Sequence, residues 1–519
     1  MRKISIALLI ILSAIFTLNA AEKEVPVEIQ KKLKNRLMNS NAIGRNYVVS
    51  FPQNDQSNPW IQDLAIFVAS SEPTKVLLRN DLRGIYIPKE IKEENGIAIF
   101  SITEGDFGLN VEVTESERIL DLGLVIESEK PVSVYVLNSR RVTTDGYLAL
   151  PTTVWGTEYY HCSYYDYNEG GRADWGSGFQ IMASEDNTRV TIEIKGTPGT
   201  LTMEGRRVGD VFSIVLDKGE LYQVRGITNT VKTMDLSGSR ITANKPIGVI
   251  SFHTRTTMPQ PNITGATTSR DHLVTMMAPV QAWGKEYSSV SVNRVGGGGD
   301  MLRFMASEPN TFVECFWYDK QTREPKGYVS YSLTNAGDWE EYNGAIFPAR
   351  QGQSIYGSIY IRANKPVYVQ QYVFSQGYDP TPGSSWDPCM FPVISVEQFT
   401  DRTIFQTPSN NSGNNEYLDN FVNLIVVGDA DDAARNVELL NSIMLDGKQL
   451  TATYPNMVGN NIPGTDLFWV HAAVDIGPHF IEADTRFGGY IYGYSSADSY
   501  GWPAATAYQN LGVVDTLEP

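Results

Sequence analysis

The chain has 519 residues, with 42 Lys and Arg against 59 Asp and Glu, for a formal net charge of −17. Its length exceeds what one hydrophobic core serves and implies several domains. The acidic balance, without a Lys/Arg cluster, argues against nucleic acid and disfavours anionic membranes as partners, because neutralising phosphates takes clustered cations. Only 19% of residues are charged and 42% are hydrophobic, and the Thr, Val, Tyr and Gly content leans towards β structure.

In chain order, residues 1–20 (MRKISIALLIILSAIFTLNA) set Arg2 and Lys3 before an apolar run from Ile4 to Phe16, with a small residue, Ala20, at the end. This is the layout of a secretory signal peptide, and the run is too short for a transmembrane helix. The expected destination is outside the cell, secreted or held at the cell surface. One clear helix is expected after it, at Val27–Leu37 (VEIQKKLKNRL).

Three short motifs then recur in a fixed order. Gly-x-x-Tyr occurs at Gly44–Tyr47, Gly156–Tyr159 and Gly284–Tyr287. An Ala-Ser motif follows as ASSEPTKV from Ala69, ASEDNTRV from Ala183 and ASEPNTFV from Ala306. A Lys-Pro motif closes each set at Lys130-Pro131, Lys245-Pro246 and Lys365-Pro366. A period of roughly 120 residues is too long for a solenoid and suits a complete β module. A fourth, worn copy is expected from Asn423–Leu440 and Ala483–Tyr494, with Arg486-Phe487 in place of Lys-Pro.

The middle of the Ala-Ser motif changes from Glu-Asp-Asn to Glu-Pro-Asn to Ser-Glu-Pro. A turn tolerates that exchange and a catalytic carboxylate does not. The Lys-Pro motif reads as a strand start, where no ladder donor is needed. In the second copy, strands are expected at 159–165, 179–183, 190–194, 201–204, 211–216, 221–225, 239–242 and 247–252. The fold class is therefore all-β: tandem β-sandwich, jelly-roll-like modules at 21–142, 143–270, 271–385 and 386–519. The short apolar linkers PVQAW and MFPVISVEQF favour packed neighbours over free beads.

Of the three cysteines, Cys315 with Cys389 is the more plausible pair, and one thiol stays unpaired. His253, Arg255, Arg270, Asp271 and His272 flank the loop Thr254–Arg270 and form the densest polar cluster. They are the candidate binding residues, against the alternative that they only tie the loop down. The aromatic run YYHCSYYDY, Tyr159–Tyr167, is either a sugar-stacking surface or a buried strand. Asp166, Asn168, Glu169 and Asp174, and likewise Asp429, Asp431 and Asp432, are acidic loops without EF-hand spacing. VGGGGD, ending at Asp300, reads as a flexible hairpin tip. No catalytic constellation, metal site or cofactor motif is found.

Several segments resemble the N-terminal domain of the IgG-Fc-binding protein family: DGYLALPTTVWGTEYYHCSYY from Asp145, ASEDNTRVTI from Ala183, GELYQVRG from Gly219, DLSGSRITANKPIGVISFH from Asp235, DHLVTMMAPVQAWGKEYSSV from Asp271 and YIYGYSSADSYGWPA from Tyr490. Relatives in that family carry a cysteine before the Asp-His-Leu motif. Here Arg270 stands there, so that local disulfide is absent. The expected function is non-enzymatic binding of an extracellular glycoprotein or glycan, a role that repeated modules suit because several weak sites in one chain give avidity. The alternatives are a self-associating surface or matrix protein and a carbohydrate-active enzyme.

Overall fold

The computed structural model describes residues 42–511 except 57–61, 103–107, 109, 141, 167–173, 229–233, 260–268, 294–299, 320–324, 343–356, 376–385, 409–416, 418, 430, 454–459 and 496–497. The expected signal peptide, the helix at Val27–Leu37 and the glycines of VGGGGD lie outside the described residues.

Each copy is built on one very long strand: β1 (Leu124–Arg140), β3 (Arg240–Thr256), β5 (Gly357–Val373) and β7 (Gly477–Ser495). Each is followed by a shorter one: β2 (Thr143–Ala149), β4 (Asp271–Met276), β6 (Met390–Pro392) and β8 (Asp498–Ala505). The long strand serves two antiparallel layers. The first part of β3, Arg240–Ala243, pairs with Glu158–Tyr160 and Val190–Glu193. Its second part, Ile247–His253, pairs with Ser177–Ala183 and β4. Lys245-Pro246 sits between these parts, where the ladder changes hands and a missing N–H costs nothing. The same division holds at Lys130-Pro131 and Lys365-Pro366. The result is a seven- or eight-stranded sheet curled across its own long strand in each copy, a nearly all-β chain of tandem sandwich-like modules. Where two strands were expected, at 239–242 and 247–252, there is one continuous strand. Expected strand 201–204 forms only isolated bridges.

The three motifs lock to one another. The Tyr159 hydroxyl accepts from Gly156 N at 3.0 Å and donates to Ile247 O at 2.6 Å, the carbonyl just after Lys-Pro. Tyr287 does the same with Gly284 N and Val367 O, and Tyr47 with Gly44 N and Val132 O. The lysines reach back to the Ala-Ser turn: Lys245 Nζ donates to Asp186 O and Lys365 Nζ to Pro309 O, both at 2.6 Å. Asn187 and Asn310 take φ of 55° and 57°, a left-handed conformation that Asn tolerates in a turn. The Tyr287 hydroxyl is fully buried, so Tyr287→Phe strands a buried N–H and a carbonyl. We expect that change to cost about 1–3 kcal/mol in urea unfolding, and an unchanged midpoint would refute this linkage.

The fourth copy departs. After Asp419–Val427 the chain forms a helix, α1 (Ala433–Asn441), rather than the Ala-Ser strand; the Asp432 side chain caps it by accepting from Arg435 N at 2.9 Å. The three cysteines are buried thiols, which corrects the expected Cys315–Cys389 pair. Cys315 is packed inside the third copy with Val313 and Ile361, whereas Cys389 lies in a different cluster with Phe391 and Tyr492. The run from Tyr159 to Tyr164 is buried throughout, so it offers no stacking surface for sugars.

Candidate functional site

The chemistry-bearing residues gather where the four copies meet. β2 packs against β4 and β8, and β6 packs against the same two strands, so the four short strands close a ring. Every described residue in them is buried. Close approach relies on glycine: a Cβ on Gly146 would meet Val136 O at 2.5 Å and the Trp502 ring at 2.7 Å.

Asp145, at the start of the ring, is the common acceptor. Its Oδ1 takes Gly146 N at 2.9 Å and Gly501 N at 3.3 Å; its Oδ2 takes Val274 N at 3.0 Å and Met390 N at 3.2 Å. Those donors come from β2, β8, β4 and β6 respectively. Asp271 Oδ1 accepts from Thr144 N and His272 N, and Thr144 Oγ1 donates to Asp498 Oδ2 at 3.0 Å. Asp387 N donates to Ser499 Oγ at 3.0 Å. Asp145, Asp271, Asp387 and Asp498 thus each stand at or just before one closing strand, and all are buried. Burial pushes the Asp271 carboxyl well above its usual range, and the neighbouring Asp498, Asp387 and Asp145 push it further.

The five sequence candidates all fall in or beside this junction. His253, Asp271 and His272 are fully buried; Arg255 and Arg270 are half-buried. Arg255 pairs with the buried Asp55 at 2.7 Å, and the Arg255 and Arg270 guanidinium groups lie 5.5 and 5.8 Å from the Trp175 ring centroid. His253 Nδ1 accepts from Arg255 N at 3.2 Å, while His272 Nδ1 lies 3.3 Å from Thr254 O. The centre of the intervening loop, 260–268, lies outside the described residues. Sequence reasoning found Asp271 but missed Asp145, Asp387 and Asp498. The signal was present as D-G-Y-L, D-H-L-V, D-P-C-M and D-S-Y-G at the start of each closing segment.

The buried groups make stability depend on pH in opposing ways. Burial holds the His253 imidazole down to about 3, so it stays neutral in the fold while the unfolded chain protonates near 6.5. Its contribution is present above pH 6.5 and is lost as pH falls towards 3. Burial pushes Asp387 up to about 7 from 3.8, so its contribution is present below 3.8 and lost as pH rises through 7. We expect Asp387→Asn to flatten the fall in stability between pH 4 and 7, and His253→Gln to flatten the fall between pH 6.5 and 3. Each change amounts to at most about 1.4 kcal/mol per pH unit relative to wild type. Urea midpoints across pH 3–9 check both, and parallel curves for wild type and variants would refute them.

A second polar centre joins the second and third copies. Arg303, wholly buried, donates to Ser163 O and Asp235 Oδ2 at 2.7 Å, to Ser237 Oγ at 2.8 Å and to Glu341. Its guanidinium lies 3.8 Å from the Trp339 ring centroid. Above this knot the two copies leave an open cleft of about 610 Å³, lined by residues including Glu193, Lys195, Asp338, Trp339 and Glu340. Nothing in the sequence patterns singled out Arg303 or Trp339, because the hydrogen-bond partners of Arg303 lie 38 to 140 residues away. Among the described residues no group of three or more His, Cys, Asp or Glu is placed to hold a metal ion, and no helix is long and apolar enough to cross a membrane.

Comparison with known proteins adds three findings. The chain is 23% identical over 411 residues to the human IgGFc-binding protein, a match that takes in 78% of this chain but only 6% of the human protein's length. A solved structure, native alfa-L-rhamnosidase from Aspergillus terreus, aligns at 8% identity and a TM-score of 0.11 over 72% of this chain and 50% of that one, too weak a likeness to carry any argument. The family model described as IgGFc binding protein matches residues 145–493, from the ring aspartate Asp145 to the last long strand, and so the chain belongs to the IgGFc-binding protein family.

Proposed function

We propose that the protein is a non-catalytic binding protein that works outside the cell, secreted or at the cell surface, where it recognises an extracellular glycoprotein or glycan. The observation that carries this reading is membership of a family named for binding, over residues 145–493. The basic and then apolar segment at residues 2–16 supports export. IgG Fc, named in the human relative, is a ligand to test first. We assign His253, Arg255, Arg270, Asp271 and His272 a supporting role: they hold the junction that fixes the copies relative to one another, and the outer surfaces of the copies make the contacts. Several modules in one chain suit this work, since linked sites gain avidity.

The test is a glycan and glycoprotein array that includes IgG Fc, probed with the full chain, with light scattering in parallel. Saturable binding to an array member supports the reading. A second reading, self-association into a surface layer, rests on the outer strand Val211–Leu216, which borders a single neighbour and exposes Val211 and Val215. A blank array with ordered multimers would favour that reading instead.

A further inference from the structure

The cleft between the second and third copies has the makings of a sugar site. At about 610 Å³ it is within the range that takes small ligands. Its lining includes glycines. Gly238 and Gly337, with φ of 92° and 81°, bring two turns together so closely that a Cβ on Gly238 would meet Gly337 O at 2.8 Å. One wall carries Trp339, and this indole is held in place from behind. The Arg303 guanidinium lies 3.8 Å from its centroid, Tyr165 meets it edge-on at 5.7 Å, and Nε1 donates to Ser237 O at 3.4 Å. An aromatic plate fixed before the ligand arrives loses little entropy on binding, and its apolar face suits the C–H face of a pyranose ring.

The rest of the lining is polar. Glu193, Asp338 and Glu340 contribute three carboxylates and Lys195 one ammonium. Carboxylates accept from sugar hydroxyls, while the net negative charge of the lining repels sialylated or sulfated glycans. Lys195 Nζ also crosses to Ala336 O at 3.4 Å, tying the cleft's two sides.

We propose that this cleft, on the wall made by Trp339, Asp338 and Glu340 and the opposing Glu193, binds a neutral saccharide of hexose or N-acetylhexosamine type. The proposal rests on the reading of the protein as a binding protein and names the ligand class of one site on it.

The experiment titrates the full chain with neutral hexose and N-acetylhexosamine oligosaccharides, their sialylated and sulfated counterparts, and a Lys/Arg-rich peptide. Indole fluorescence and ligand-observed NMR give the readout. Neutral sugars are expected to bind and their anionic counterparts to bind at least about tenfold more weakly. Trp339→Ala is expected to weaken binding by about tenfold or more, and Glu340→Ala, on the exposed rim, by about threefold. If Trp339→Ala does not fold, Glu340→Ala and Glu193→Ala decide. Three results would overturn the proposal: no neutral sugar bound by a chain that still captures a glycoprotein on the array, unchanged sugar affinity in the folded variants, or a basic peptide taking the cleft in place of sugar. A blank with every array member as well would instead overturn the binding function itself.

Discussion

Arg303→Met is expected to destabilise the folded protein by about 3–5 kcal/mol, because removing one member of a buried ion group leaves its partners charged and uncompensated. Asp235 and the Arg303 side chain have no exposed surface, and Glu341 has only 10%. Methionine matches the aliphatic stem but supplies none of the donors that reach Ser163 O, Asp235, Ser237 and Glu341. Lysine fares little better, since a single ammonium cannot satisfy two carboxylates and also stack on Trp339. Ser163, Asp235 and Ser237 belong to the second copy and Glu341 to the third, so the loss falls on the joint between them. Chemical unfolding checks the size of the effect. Adding Asp235→Asn and Glu341→Gln to Arg303→Met removes the stranded charges and is expected to recover part of the loss. A cost under about 1 kcal/mol for Arg303→Met alone would mean that the group is not held as described.

Asp145→Ala is expected to be nearly as damaging, at about 3 kcal/mol or more, because each buried donor left without an acceptor costs about 1–3 kcal/mol. The four N–H groups that point at this carboxyl belong to Gly146, Val274, Met390 and Gly501. They come one from each closing strand, so the residue fastens all four copies at a single point. Asp145→Asn keeps one acceptor oxygen and turns an NH2 group towards two of the donors, so we expect it to be destabilising as well. The second readout is cooperativity. Loosening the ring should broaden the urea transition and speed proteolysis between copies. A sharp, unshifted transition in Asp145→Asn would sink the fastening role.

The repeat was legible because its motifs are local. Tyr159 and Gly156 are three residues apart, and Asn187 sits in the turn whose φ it serves. The all-β class followed from the same short patterns. What the patterns hid was reach. β3 reads as two strands because Pro246 interrupts its ladder, although the backbone runs straight from one layer into the other. The helix α1 was missed because the acidic, glycine-containing VGDADD looks like a loop, while its last aspartate, Asp432, is an N-cap. For the cluster from His253 to His272, polarity left two readings open, a binding loop or a loop tied down by its own polar groups. The structure ties it instead to Asp55 of the first copy through Arg255 and to Thr144 through Asp271, contacts that sequence spacing cannot show. The same holds for Arg303, whose partners lie in the second copy and in its own.

The first copy's sheet is completed by β2, the second's by β4, and the backbone near the start of the described chain meets the residue just after the last strand, with Ala42 N donating to Thr506 O at 3.1 Å. Counted by motif, each copy borrows its final strand from the segment that follows it. A repeat array of this kind is not a string of separately folding beads. A nascent chain holding two copies still has an open edge and an unfilled seat around Asp145, and those are met only when the later strands emerge. Closure of the ring therefore takes strands from all four copies, and Asp145 has its full set of donors only when the last of them is in place.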